Sequence, residues 1–298
     1  GGYILGGYSA SGANGDKSQG ARGGGDFWVV RLDKTGAKLW DRRFGGSNED
    51  TFTSLQQTSD GGYILGGYSL SGGNGDKSQA SRGGYDYWIV KTDSAGTKQW
   101  DRRFGGAGVD WLRSVRQTAD GGYILGGHST SGAGGDKSQA TRGAYDFWIV
   151  KTDGAGTKEW DRRFGGVGSE YLFCVQQTAD GGYILAGSSD SGATGDRSQG
   201  SRGGVDFWIV KTDASGAKQW DRRFGGPVED EAIGIRQTSD GGYVVCGSSV
   251  SGAGGDKSQA SRGGFDWWIV KMDDSGNAQW DKRFGGADNE LCFGIELT

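Results

Sequence analysis

Residues 61–67 read GGYILGG, residues 86–93 read DYWIVKTD and residues 100–106 read WDRRFGG. All three return at a fixed interval. GGYIL or GGYVV starts at Gly1, Gly61, Gly121, Gly181 and Gly241, and W-D-[RK]-R-F-G-G starts at Trp40, Trp100, Trp160, Trp220 and Trp280. Self-similarity at one period is the mark of a repeat architecture. The chain is therefore five copies of one unit, 1–60, 61–120, 121–180, 181–240 and 241–298, read as a single domain over 1–298.

One unit predicts four strands: Tyr3 to Ser9, Asp26 to Asp33, Lys38 to Phe44 and Phe52 to Thr58. In the second strand Phe27, Trp28, Val29 and Val30 leave both faces apolar, so both need cover from neighbours. Two connections are short, Asp33-Lys34-Thr35-Gly36 and Thr58-Ser59-Asp60-Gly61-Gly62. Asp there bonds its own backbone and Gly supplies a positive φ, the chemistry of a hairpin turn. No stretch sustains a helical period. Four antiparallel strands repeated five times predict an all-β fold, a five-bladed β-propeller. An open solenoid needs capping repeats, and none is visible. The last residue, Thr298, aligns with Thr58, so Leu291 to Thr298 is expected to pair with Tyr3 to Ser9 and close a monomeric ring. The chain starts at Gly1 without an initiator methionine or signal peptide, which predicts a processed or excised piece.

Composition narrows the functional classes. Glycine numbers 63, but 12 Trp, 11 Tyr and 12 Phe argue against disorder. No Gly-X-Y register supports collagen. With 33 basic and 37 acidic residues the formal net charge is −4, so no basic excess suits a nucleic acid. No apolar run reaches the length of a membrane-spanning helix, and no membrane insertion is expected.

The succession DGGYILGGYS, GDKSQ, DYWIVKTD and G-x-K-x-W-D-R-R-F-G-G resembles repeats of secreted and surface-exposed bacterial proteins, many of which carry a type IX secretion sorting domain. The resemblance covers essentially the whole chain. A more distant likeness to kelch and quinoprotein propellers lies in the GG ending one strand and the D-x-x-G-x-x-x-W corner. The resemblance implies a propeller, an extracellular or cell-surface location and no particular reaction. By the same likeness, Phe52 to Thr58 is the innermost strand and Lys38 to Phe44 the outermost.

Catalytic chemistry finds little support. The single histidine, His128, stands where other copies have Tyr8, Tyr68, Ser188 and Ser248, which reads as a tolerated substitution. Without a second histidine neither a His-based zinc site nor a repeated triad can be built. Carboxylates are plentiful, but no pair stands out as a hydrolase dyad. The long loop offers only Asp16 towards calcium, and no phosphate-binding G-x-x-x-x-G-K-[ST] occurs. No enzyme, cofactor or metal is expected. Cys174, Cys246 and Cys292 replace small or apolar residues (Gly6 and Ala186 for Cys246, Phe52 and Leu112 for Cys292) and read as buried hydrophobes without a redox role. The mid-strand tryptophans read as packing between blades. Arg42 and Arg43, with their counterparts, read as charges guarding an exposed edge strand.

The candidate binding residues lie on the long connection, about Ala10 to Gly25, because long loops on a rigid scaffold carry function. Each copy has G-D-[KR]-S-Q and then R-G. The residues are Asp16, Lys17 and Arg22; Asp76, Lys77 and Arg82; Asp136, Lys137 and Arg142; Asp196, Arg197 and Arg202; and Asp256, Lys257 and Arg262. They suit sugar hydroxyls or an anion, and equally an Asp–Arg tie to the neighbouring blade; the tie is the favoured reading. Variable positions add Tyr85, Trp111, Tyr145 and Tyr171, an aromatic patch beside His128. The expected function is a non-catalytic secreted or cell-surface binding module, multivalent for carbohydrate on the long-loop face. The alternative is a scaffold or spacer for a surface protein partner, and third comes a carboxylate-based hydrolase.

Overall fold

The computed structural model describes residues 1–298. It contains strands and turns and no helix. The first sheet holds β1 (Gly2–Ser9), β2 (Asp26–Asp33) and β3 (Lys38–Phe44). The second holds β4 (Asp50–Gln57), β5 (Tyr63–Ser69), β6 (Asp86–Thr92) and β7 (Lys98–Phe104). The third holds β8 (Asp110–Gln117), β9 (Tyr123–Ser129), β10 (Asp146–Thr152) and β11 (Lys158–Phe164). The fourth holds β12 (Glu170–Gln177), β13 (Tyr183–Ser189), β14 (Asp206–Thr212) and β15 (Lys218–Phe224), and the fifth β16 (Asp230–Gln237), β17 (Tyr243–Ser249), β18 (Asp266–Met272) and β19 (Ala278–Phe284). In each sheet the strands lie in chain order, as hairpin connections require.

The turns form as their residues dictate. Asp33 Oδ1 accepts from the backbone N–H groups of Thr35 at 2.7 Å and Ala37 at 3.0 Å, and Gly36 takes φ 87°. Asp60 Oδ1 accepts from the N–H of Gly62 at 3.0 Å, next to Gly61 at φ 82°. The fourth strand of the pattern starts earlier than expected, at Asp50. Its N–H donates to Gly25 O at 2.8 Å and its carboxylate accepts from Gly46 N at 2.7 Å, which holds the strand extended two residues ahead of Phe52. A bulge between Phe52 and Ser54 then shifts the register against β5.

The chain divides into two compact units: Gly1–Leu125 with Ser129–Ala140 and Val150–Glu159, and Gly126–His128 with Thr141–Ile149 and Trp160–Thr298. Within the first, Trp88 lies on Phe27 with ring centroids 4.8 Å apart. Within the second, Phe147 meets Trp208 at 4.7 Å and Phe207 meets Trp268 at 4.9 Å. Each contact joins one sheet to the next, so β6 and β14 are buried along their whole length. Trp88 and Trp208 also donate from Nε1 to Asp101 and Asp221, both at 3.1 Å, which satisfies an indole inside the core.

The expected pairing of Leu291 to Thr298 with β1 is not formed. The first sheet has three strands, and residues 291–298 belong to no ladder. Tyr3, Leu5 and Tyr8 stay exposed on β1. The terminal segment lies against the fifth sheet instead: Cys292 N donates to Ser248 Oγ at 2.9 Å, the contact that Ala232 N makes to Ser188 Oγ at 3.0 Å. Packing on the preceding sheet thus forms without the ladder to a following one.

Candidate binding face

The long loops are anchored from both ends. Asp26, at the start of β2, accepts from Arg22 N at 2.7 Å, and Asp86 accepts from Arg82 N at 2.8 Å. Asp41 on β3 accepts from Ser18 N at 2.8 Å, and Gln19 Oε1 accepts from Arg43 N at 3.0 Å. Gln19 and Asp41 are structural partners that the repeat pattern alone did not single out. The loop therefore lies along its own sheet with its backbone groups satisfied.

The predicted cations of the loop point inwards. Lys17, Lys77, Lys137, Arg197 and Lys257 are all buried. Lys77 Nζ donates to Ser71 O at 2.9 Å and Ser81 Oγ at 2.6 Å; Lys17 donates to Ser9 O and Ser11 O at 3.2 and 2.9 Å. Lys137 reaches Ser129 Oγ and Ser131 O at 2.8 and 3.0 Å. In the second unit Arg197 donates to Ser189 Oγ at 2.7 Å and Lys257 to Ser249 Oγ at 2.6 Å. Burial pushes the Lys77 ammonium down to about 8. These donors are committed to holding the loop.

The acidic and arginine members form clasps between repeats. Arg22 pairs with Asp76 at 2.9 Å and Arg82 with Asp136 at 3.0 Å in the first unit; Arg142 pairs with Asp196 at 2.8 Å and Arg202 with Asp256 at 3.1 Å in the second. Asp76 and Asp136 also accept from Gly45 N and Gly105 N at 3.2 and 3.1 Å. Asp16 and Arg262, the two ends of the series, are exposed and make no such pair. Alternation along the strand separates Arg42 from Arg43. Arg42 stacks over Trp40 at 5.4 Å and donates to Ala95 O at 3.1 Å, whereas Arg43 is buried and faces Asp26 and Asp76, each at 3.5 Å. Both arginines tie one sheet to the next, which replaces the expected edge-guarding role.

The aromatic candidates separate into two clusters, one in each unit. In the first, Tyr68 and Tyr85 meet edge to face at 5.2 Å, and Trp111 lies 6.0 Å from Tyr68. Arg113 sits 5.8 Å above Tyr68 and 6.0 Å above Trp111, and the Tyr85 hydroxyl donates to Glu49 at 2.6 Å. Burial, with the bond to Glu49, pushes the Tyr85 phenol up to about 12. In the second, His128 meets Tyr145 at 5.7 Å, Tyr171 at 5.2 Å and Phe173 at 6.4 Å, and Tyr145 meets Tyr171 at 5.3 Å. His128 is buried, whereas the three tyrosines Tyr68, Tyr85 and Tyr145, and Trp111, keep part of their rings in solvent. Tyr68, Glu49, Arg113 and Phe173 were not among the sequence candidates. Their signal was available, because Arg113 and Phe173 stand where the first copy has Thr53.

No group of three or more His, Cys, Asp or Glu side chains is placed to hold a metal ion. No helix is long and apolar enough to cross a membrane.

No family model matches the chain. It is 27% identical over 310 residues to the regulatory protein FlaEY of Caulobacter vibrioides, an alignment covering 90% of this chain and 30% of that protein. The chain thus spans less than a third of the length of the curated relative it matches. Among solved structures, hydrazine synthase of Kuenenia stuttgartiensis superposes with a TM-score of 0.50 at 11% identity, over 90% of this chain and 63% of that one. A protein of unknown function from Bacteroides caccae gives a TM-score of 0.48 at 11% identity, over 87% and 77% of the two chains. At such identity the likeness to the hydrazine synthase is one of fold alone.

Proposed function

We propose that the protein is a non-catalytic binding module of an extracellular or cell-surface protein, and that it takes carbohydrate on half-exposed aromatic rings at the long-loop ends of its sheets. The observation that carries this reading is the Tyr68, Tyr85 and Trp111 cluster, which sets ring faces beside the Arg113 guanidinium and the Glu49 carboxylate. Ring faces suit the C–H surface of a sugar, and the charged pair suits its hydroxyls. The clasps and buried lysines favour a structural role for the GDKS loops, so the sites are few and unlike one another rather than five equivalents. The second reading is a protein scaffold. Aromatic rings with arginine are also what protein interfaces use, and the relative's description as a regulatory protein fits it.

The test is a glycan array followed by titration calorimetry on any hit. Carbohydrate recognition predicts saturable binding that Trp111→Ala lowers at least tenfold, with Asp136→Asn nearly neutral. No glycan binding from an otherwise folded chain overturns the carbohydrate reading and leaves the scaffold.

For the architecture we infer a five-bladed propeller. Five repeats of one four-strand pattern support it, and successive sheets within each unit pack through the same contact of tryptophan on phenylalanine. Small-angle X-ray scattering tests it: a ring-shaped profile is expected, and an extended array of sheets overturns it.

A further inference from the structure

The three cysteines do not share one environment. At one inter-sheet contact the side chains are matched in size through the chain. Gly6 faces Phe52, Gly66 faces Leu112 and Gly126 faces Leu172, while Ala186 and Ala232 share one buried cluster. The fifth pair at this position is Cys246 and Cys292, whose sulfurs lie 3.1 Å apart. Where one member is glycine the other is large, and where both are of middle size they match. Both cysteines therefore arrived at the two positions that touch. Cys174 lies close enough to act on the Cys246 thiol, but its own sulfur faces Ile235 O at 3.9 Å.

We propose that Cys246 and Cys292 form a disulfide that staples the segment Leu291 to Thr298 to the fifth sheet. The segment needs such a hold. It belongs to no ladder; Cys292 N donates to Ser248 Oγ, and Glu296, itself exposed, pairs with Arg236 at 2.7 Å. Phe293 and Leu297 face solvent, so local opening exposes the buried sulfurs to a small oxidant. A disulfide such as oxidised glutathione serves. One thiolate attacks it and releases one glutathione thiolate; the second cysteine then displaces the other, and the two protons lost by the protein appear on two glutathione thiols. The Cys292 thiol is lowered to about 7 because the Cys246 S–H can donate to its thiolate, and the same pairing with burial raises Cys246. All three cysteines are buried, as the sequence leads one to expect; the proposal adds a redox role for two of them.

The full chain is equilibrated with reduced and oxidised glutathione, denatured under acid quench, and its thiols are counted and mapped as unreduced peptides. The expected result is one titratable thiol, Cys174, and a peptide pair joined through Cys246 and Cys292. Three titratable thiols under oxidising conditions, a bond to Cys174, or only links between chains would overturn the proposal. The Cys246→Ala/Cys292→Ala variant copies the fourth repeat and should fold. Hydrogen exchange of residues 291–298 should slow on oxidation in the parent at least tenfold and not respond in this variant. An equal response in both also overturns it.

Discussion

Arg103 donates from Nη1 to the Asp136 carboxylate at 2.7 Å, and the two residues belong to successive repeats. Arg163 does the same to Asp196 at 3.0 Å. Arg103 is buried and Asp136 partly so. Removing the guanidinium also takes from Asp86, fully buried and 3.5 Å away, one of its two nearby cations and leaves only Lys77. Arg103→Ala should therefore lower unfolding free energy by about 2–3 kcal/mol, the range for a hydrogen bond to a charged group. Urea unfolding checks this; a change below about 0.5 kcal/mol would show that the clasp is ornamental.

Trp88 and Trp267 separate packing from mere presence in a strand. Trp88 is fully buried against Phe27, whereas Trp267 is 45% exposed. Trp88→Ala should cost about 3–5 kcal/mol, as large-to-small core changes do. Trp267→Ala should cost less than about 1.5 kcal/mol if its face stays uncovered. A large loss at Trp267 would instead reveal a partner surface on that side, and guanidinium unfolding distinguishes the two.

Gly66 and Leu112 should behave as a coupled pair. A Cβ on Gly66 would come within 2.8 Å of Leu112 and of Val115. Gly66→Ala alone should destabilise by about 1–3 kcal/mol through overpacking, and Leu112→Ala alone through the cavity it leaves. The double variant recreates the Ala186 and Ala232 combination. A double-mutant cycle should show favourable coupling of at least about 1 kcal/mol; strict additivity would refute size matching.

Stability should fall between mildly acid and neutral pH. Burial, with Asp110 nearby, pushes Asp86 up to about 7, and burial with Asp230 nearby pushes Asp206 up to about 6. An unfolded aspartate titrates near pH 4. Between about pH 4 and 7 the folded chain thus binds protons that the unfolded chain has released, and stability falls as pH rises through that window. Asp60 acts oppositely. Bonds from Lys91 and Thr58 hold it down at about 2, so its contribution is complete above the unfolded value and is lost as pH falls from about 4 towards 2. Thermal melts from pH 3 to 8 should peak near pH 4–5, and Asp86→Asn should flatten the decline towards neutrality. An unchanged slope in that variant would contradict the assignment.

The long loops show where sequence reading and structure part. G-D-[KR]-S-Q with a following arginine reads equally as a sugar site or a brace, because local sequence does not say which way a side chain points. The structure turns Lys77 onto Ser71 and Ser81 and sends Arg82 to Asp136 of the following repeat. The aromatic residues were visible as variable positions, yet their grouping was not. Tyr68 and Tyr85 join Trp111, while Tyr145 and Tyr171 join His128, and these neighbours come from different strands.

Period and strand chemistry are local properties. The five-fold recurrence, the Asp and Gly turns and the two apolar faces of Phe27 to Val30 were therefore determined by the sequence itself, and the sheets follow them almost residue for residue. Contacts between repeats depend on which residues meet across sheets. That meeting brought Cys246 to Cys292, buried the loop lysines and left Leu291 to Thr298 on the fifth sheet without a ladder to β1. Such placements are decided by packing among segments far apart in the chain, which only the tertiary structure contains.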